Sequence, residues 1–496
     1  MRIVGLASGM DIDALVKDLM KAERIPLDKM VQQKQIFEWQ RDSYREINKL
    51  LDELDRLIFD GVYRLSNFRQ KKVTSSDESA VVAKAINASA NTSTTIEVQQ
   101  LAKAATYSAA TLNNFTSGAR TLKFEVTDPG STETREVTIN IGENDTLDDV
   151  IYKINSSNLG VTGMKLKDSS GVERLVLTNN KTGEGGTIKA VDSETFDFLQ
   201  SLGFSLDDTT FNLIPETAGQ NAKVKINGYE TVQTSNTFTI AGIEYTIKNV
   251  TTSPVTISTS TDVDAILDTI VKFVNKYNEV IEKINGKLTE ERFRNFPPLT
   301  DEQKEEMTEK QIELWEEKAK SGLLRGDAIL TSGLNQMRLD LYSPVAGDTL
   351  KGFKQLADIG ISTTANYLDR GKLTIDENKL REKIQENPEA IYKLFMSDGE
   401  SYNDKGIARR LRDSLKGMMT KIKDKAGTSL STNDQFTIGK NLKDLDNRIN
   451  AFQDRLIQIE SRYYRQFTAM EQAIQRANQQ SAYLMQLFGG GAGGGA

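Results

Sequence analysis

The chain contains neither cysteine nor histidine. Those two absences exclude disulfides, thiolate nucleophiles, histidine-ligated metals and imidazole general bases. A cysteine-free chain fits an exposed protein that travels unfolded and needs no oxidative folding, although a cytosolic protein tolerates the same composition. No stretch reaches the roughly 18 consecutive apolar residues of a membrane-spanning helix. The first residues lack the basic, apolar and small-residue succession of a cleaved secretory signal, so export would need another route. Basic excess is missing too: the net charge is −7, which does not favour a nucleic-acid backbone. With 38% hydrophobic and 27% charged residues over 496 positions, the chain supports about three or four domains with cores of ordinary richness.

Apolar heptads are present at both ends. Met30, Phe37, Tyr44, Leu51 and Ile58 fall at seven-residue spacing, with Ile47 and Leu54 in the companion seam. Leu442, Leu445, Ile449, Phe452, Leu456, Ile459 and Tyr463 alternate three and four apart. A stripe of this kind must be buried against another helix. The economical arrangement packs the two termini on each other as a rod whose head is the middle of the chain. After Tyr463 the seam steps four residues to Phe467, a stutter that locally unwinds a supercoil.

Asp11 is placed to cap an amphipathic helix carrying Ile12, Leu15, Val16, Leu19 and Met20, and Pro26 is expected to interrupt or restart it. Near Val73 the period drops to two, and strands are predicted at 81–86, 95–99, 121–126, 135–141, 161–167, 174–178, 223–226, 237–240, 243–248 and 255–258. A helix over Leu147–Asn155 interrupts them, and Gly242 marks a hairpin turn. Helix returns near Asp262 with Leu267, Ile270, Val274, Tyr277, Ile281, Ile284 and Leu288 on one face. Thr300 and Gln303 form a capping box for a charged helix with Glu306–Lys310 and Glu316–Lys320 pairs. Further helices are expected at Ala328–Tyr342, Glu377–Phe395, Ile407–Lys423 and Lys440–Phe488, before a flexible Gly489–Ala496 tail. The fold class is therefore α+β and multidomain: terminal helices form a coiled-coil or bundle leg, with β-rich head domains inserted. The expected division is 1–40 with 455–496 as a terminal coiled coil disordered in the monomer, and 41–72 with 262–454 as the helical leg. An inner β-domain over 73–114 and 205–261 receives an outer one over 115–204.

No catalytic, metal-binding or cofactor-binding constellation stands out. Asp11 and Asp13 do not share a helix face and read as capping charges. Arg409, Arg410 and Arg412 read as a solvated helix face in an acidic chain. Gly183–Gly186 lacks the lysine and hydroxyl of a phosphate loop and reads as a turn. Trp39 and Trp315 read as packing residues on helices.

The run Gly5–Val16 resembles the N-terminus of the flagellar hook-associated protein 2 family, the cap of the bacterial flagellar filament. Pro298–Asp327 resembles the same family more specifically. Thr121–Thr178, with its helix Thr146–Asn155, resembles the small β-module of flagellin- and hook-type proteins. The resemblance implies a structural protein and not an enzyme, without cofactors. It implies export through the flagellar type III apparatus and an extracellular place at the flagellum tip. Implied partners are flagellin, further copies of the chain in a homo-oligomeric ring, hook–filament junction proteins and an export chaperone; nucleic acid and membrane are not expected. On physical grounds, contacts to flagellin or neighbouring subunits are expected at Ile12, Leu15, Leu19, Leu484, Leu487 and Phe488. The alternatives are an adhesin binding a surface ligand through its Thr/Ser/Asn-rich head, an appendage-borne hydrolase for which no site is found, and a filament subunit.

Overall fold

The computed structural model describes residues 9–109, 112–167, 169–347, 350–366 and 369–489, leaving aside the side chains of residues 113 and 488. Helix α1 covers Ile12–Asp60 and the short α2 covers Leu65–Phe68. Strands β1 (Lys71–Ser75), β2 (Val81–Ala85), β3 (Ser93–Gln100) and β4 (Thr106–Ala109) follow. Next come β5 (Arg120–Thr127), β6 (Thr134–Ile141), α3 (Leu147–Ser156), β7 (Val161–Lys167), β8 (Glu173–Asn179), β9 (Thr187–Ala190) and α4 (Ser193–Leu202). The strand-rich stretch closes with β10 (Ala222–Ile226), β11 (Tyr229–Gln233), β12 (Thr237–Ile240), β13 (Ile243–Ile247) and β14 (Val255–Thr261). Helices return as α5 (Val263–Thr289), α6 (Asp301–Glu305), α7 (Glu309–Lys320) and α8 (Ala328–Tyr342). A hairpin of β15 (Ile361–Thr363) and β16 (Leu373–Ile375) precedes α9 (Glu377–Glu386), α10 (Pro388–Met396), α11 (Ile407–Ala426) and α12 (Thr437–Gly489). The fold is α+β, with terminal helices flanking a β-rich insertion.

Two compact units emerge: Met1–Phe68 with Asp264–Ala496, and Arg69–Val263. In the first, α1 runs unbroken through Pro26, against the expected interruption. Proline removes one backbone donor and crowds the preceding turn, and packing against α12 outweighs that cost here. No break near residue 40 separates a terminal segment from the bundle. Two expected helices are divided, each for a local reason. Asn387 caps α10 by accepting from Ala390 N, and Pro388 then starts a new helix and ends α9. Thr308 builds a second capping box with Gln311, so Glu306 terminates α6 and does not pair along a continuous helix; Lys310 pairs with Glu313 instead. The Glu316–Lys320 pair forms at 3.2 Å.

Helix α5 is buried along its length, at Ile266, Ile270, Phe273, Val274, Tyr277, Ile281 and Ile284. Its Phe273 ring meets Phe395 of α10 at 5.8 Å, while α1, α8 and α10 pack on α11, where Leu334, Met337, Leu411, Leu415 and Ile422 are buried. The arginine cluster of α11 overturns the solvated-face reading. Arg410 is 1% exposed, and Arg410 Nη2 donates to the Ser343 carbonyl at 2.7 Å. Arg409 Nε donates to the Met396 carbonyl at 3.0 Å. Arg412 grips Asp55 of α1 with two hydrogen bonds, of 2.7 and 2.9 Å, and lies over the rings of Phe59 and Tyr63. These arginines face inward because α11 is covered on several sides, a fact that charge counting along one helix does not reveal.

The second unit contains two apolar cores. One lies between the antiparallel sheet β1-β14-β3-β10-β11 and the sheet β12-β13-β2, around Val81, Ile96, Val98, Val224, Tyr245 and Ile257. The other lies between β4-β8-β7 and β6-β5-β9 with α3 and α4, around Tyr107, Phe124, Ile139, Ile154, Leu177 and Phe198. This second core extends from Ala105 to Leu213, beyond the expected 115–204, because β4 pairs with β8 at Thr106↔Thr178. The hairpin at Gly242 forms as read, with Ala241 and Gly242 both at positive φ. Gly183–Gly186 is a connection between β8 and β9. Strands β1, β4, β9 and β11 and helix α4 carry no strong periodic signal and were not expected.

Two outcomes follow for stability. Both side chains of the Arg412–Asp55 pair are 14% exposed. Asp55→Ala leaves a half-buried guanidinium unpaired and lowers urea-measured stability by about 3 kcal/mol. Asp52→Ala, which removes an exposed pair with Arg56, changes it by less than about 0.5 kcal/mol. In the β-unit, hydrogen bonding from Lys181 (2.7 Å) outweighs partial burial and, with Arg135 (2.9 Å), holds the Asp128 carboxyl below its ordinary range. A depressed carboxylate stabilises the fold above its unfolded value of about 3.9, and the contribution is lost as pH falls through the folded value. The stability gap between wild type and Asp128→Asn, followed by thermal melting, therefore shrinks between about pH 5 and pH 3.

Candidate assembly interface at the terminal helices

The local chemistry of α1 begins at its cap, where Asp11 Oδ1 accepts from Ala14 N at 2.9 Å. From there α1 and α12 run antiparallel. Tyr464 Oη donates to Asp13 at 2.9 Å, Tyr463 Oη donates to Glu23 at 2.9 Å, and Lys34 pairs with Asp446 at 2.7 Å. Asp13 thus holds the partner helix and is more than a capping charge. Between these polar ties lies a small apolar core of Leu27, Ile449 and Leu456, flanked by Met20, Met30 and Phe452. At the far end Arg45 lies over the Phe436 ring and donates to the Ala426 carbonyl at 3.1 Å.

The predicted seam divides into two stretches. Met30 and Phe37 are half-buried along the α12 pairing. Tyr44, Ile47, Leu51, Leu54 and Ile58 are buried where α1 meets α11 and the bundle. On α12, Leu442, Leu445, Ile449, Leu456 and Ile459 are buried, while Phe452 and Tyr463 are half-buried. The structure therefore brings the two termini together over about the first two-thirds of α1 only. A strap between α5 and α8 secures the outer side of α1: Gln32 and Gln40 donate to the carbonyls of Pro298 and Leu323, and Tyr44 Oη donates to Asp327 at 2.5 Å. Burial, with that hydrogen bond, pushes the Tyr44 hydroxyl well above its ordinary range. Within the strap, Trp315 Nε1 donates to the Pro297 carbonyl at 2.7 Å and its ring meets Phe296, while Lys320 sits over Trp39.

Of the expected contact residues, Ile12 is 4% exposed and is buried within the chain, because the first turn of α1 folds its apolar side inward. Leu15 (38%) and Leu19 (40%) face outward. Helix α12 continues past Tyr464, level with Asp13, for roughly 37 Å at 1.5 Å per residue. Leu484 and Leu487 are exposed there, as are Tyr483 and Met485, which the heptad reading missed. Their signal was available: four apolar residues within two turns exceed what a coiled-coil seam uses. The side chain of Phe488 and residues 490–496 lie outside the described residues, as do residues 1–8. A groove of about 420 Å³ opens between the helices, lined by Val16, Met20, Leu27, Leu456, Ile457 and Tyr464. Among the described residues no cluster of three or more acidic side chains is arranged to hold a metal, and no helix is long and apolar enough to cross a membrane.

Residues 121–181 match the family described as the flagellin hook IN motif. Ends that pair by antiparallel helices around an insertion of this kind define an axial structural protein of the bacterial flagellum. Residues 8–105 match the flagellar hook-associated protein 2 N-terminus, and residues 219–479 match its C-terminus. The chain belongs to the flagellar hook-associated protein 2 family. It is 34% identical over 542 residues to flagellar hook-associated protein 2 of Halalkalibacterium halodurans, spanning 98% of this chain and 100% of that protein. It is 29% identical to the A-type flagellar hook-associated protein 2 of Pseudomonas aeruginosa, spanning 98% and 96% of the two chains. The crystal structure of the D1-D2-D3 domains of the Escherichia coli flagellar cap protein shares the fold at a TM-score of 0.56 and 22% identity, covering 81% of this chain and 99% of that one.

The seam makes a testable distinction between adjacent residues. Leu456→Asp places a carboxylate in the apolar core of the pair and exposes α1 to protease before residue 40, read by mass spectrometry of limited digests. Ile457→Asp, at a position 61% exposed, leaves the digest pattern of the wild type.

Proposed function

We propose that the protein forms a homo-oligomeric ring at the distal end of the flagellar filament, where it promotes folding and polymerisation of exported flagellin and prevents its loss. Membership of the hook-associated protein 2 family over nearly the whole chain carries this reading. The work is steric confinement with transient apolar contact and involves no chemical catalysis. The β-rich unit serves as the plate and the helical unit as the leg, with the outer β-part drawn at Ala105–Leu213 and the terminal and bundle parts sharing the unbroken α1. Leu15, Leu19, Leu484 and Leu487, joined by Tyr483 and Met485, are the side chains that meet flagellin or neighbouring subunits. Their support is exposure of apolar area on helices, which drives docking without demanding one partner geometry. Export follows the flagellar type III route, with a chaperone shielding the terminal helices and junction proteins met on the way. The adhesin reading draws no support from relatives named as hook-associated proteins.

Electron microscopy of the full-length protein mixed with flagellin filaments tests the proposal. Ring-like plates at one filament end are expected and give the subunit count. Removing residues 475–489, which are exposed from 475 to 487, leaves the melting of both units in place yet abolishes tip binding. Retained capping by the shortened chain sinks the assignment of contacts, and full-length protein that ignores tips while flagellin polymerises sinks the function.

A further inference from the structure

A cavity of about 280 Å³ opens in the helical unit, away from the paired termini. Its floor is apolar: Leu341, Leu356, Ile361 and Leu373 are buried, and the ring of Tyr277 closes the base. The mouth is different in kind. Arg338 and Tyr342 stand four residues apart on α8, so both project to the same side of the helix. Tyr342 is 70% exposed, an unusual position for an aromatic ring beside an apolar hollow. Arg338 has no ion pair or hydrogen bond among the described residues. Opposite it the β15–β16 hairpin lines the mouth with Ser362 and Thr363, the Ser362 hydroxyl lying 3.3 Å from Thr374 Oγ1 across the hairpin. Gly371, at φ +95°, brings the hairpin against the stem of Arg338; a Cβ there would meet Arg338 Cγ at 3.1 Å. That contact seats the guanidinium at the mouth while its stem packs.

We propose that this cavity binds a small apolar group carrying one carboxylate, the apolar part seated on Leu341, Leu356, Ile361 and Leu373 and the carboxylate held by Arg338 beside Ser362 and Thr363. A guanidinium matches a carboxylate in a bidentate geometry, and hydroxyl donors complete its acceptors. The volume suits a ligand of fragment size, such as one apolar side chain with its neighbouring carboxylate. Behind the floor the Tyr277 hydroxyl is buried and has no hydrogen-bond partner among the described residues. Burial, and then Asp340, keep that hydroxyl protonated, although the Arg338 charge opposes them. Two sources offer this chemistry: the C-terminal residue of a polypeptide and a free short-chain acid.

The test is saturation-transfer NMR on the full-length protein with N-acetyl-leucine, N-acetyl-leucinamide and hexanoate. The acid is expected to saturate below about 5 mM, as its size allows, and the uncharged amide to bind at least about tenfold more weakly. Arg338→Gln is expected to weaken the acid by about tenfold, leave the amide unchanged and leave the melting temperature unaltered, since Arg338 is exposed and has no ion pair or hydrogen bond among the described residues. Tighter binding of N-acetyl-leucine than hexanoate assigns the site to a chain terminus, and the reverse order assigns it to a free acid; both support the site. Equal binding of acid and amide, an unchanged acid affinity in Arg338→Gln, or no saturable binding overturns it.

Discussion

Burial of the apolar stripe on α1 is the constraint on which the helical unit depends, because a 49-residue helix presents more apolar surface than one neighbour can cover. The chain answers with two partners in succession. From Asp13 to about Arg45 the stripe lies on α12, coming back from the opposite end of the sequence. From Tyr44 to Ile58 it lies on α11 and the bundle, where Leu51, Leu54 and Ile58 are fully buried. Each such side chain contributes about 2 kcal/mol by leaving water. The second half of α1 is therefore anchored in a large core, while the first half depends on a narrow two-helix seam centred on Leu27, Ile449 and Leu456. The apolar core along α1 thins toward its beginning.

Polar groups mark the places where that change of partner is secured. The Arg412–Asp55 pair ties α11 to α1 just past the switch, and Lys276 reaches Glu53 from α5 at 2.7 Å. On the other side the strap carrying Pro297, Pro298 and Trp315 places backbone carbonyls where Gln32 and Gln40 can donate to them. These contacts hold a fixed register of α1 that apolar burial alone, being non-directional, leaves free to slide.

The β-unit solves a separate problem. Each of its two cores is closed by sheets whose strands come from distant parts of the segment, as in β3 between β14 and β10. Local devices keep each piece in place: Thr146 and Asp149 form a reciprocal capping box on α3, and Asp192 caps α4 by accepting from Thr195 N. Such an insertion is built around its own apolar residues, which lets one chain combine a β-rich unit with helical ends.

Periodicity and short-range chemistry in the sequence already determine much of this: the long terminal helices, the α5 face, ten of the strands, the Gly242 hairpin and the Thr300 cap. Each depends on residues within a turn or a pleat of one another, so the information is local. The family was legible for a similar reason, since Gly5–Val16 and Pro298–Asp327 are contiguous. Tertiary structure alone decided the rest. Pro26 stays within a helix because α12 packs alongside it; Arg409, Arg410 and Arg412 turn inward because α11 is enclosed; β4 joins the outer core because β8 is there to pair with it. Ile12 is buried while Leu15 and Leu19 are not, and the cavity beneath Arg338 is assembled from α5, α8 and a hairpin far apart in sequence. In each case the deciding energy is burial against a partner whose position along the chain says nothing about its position in space.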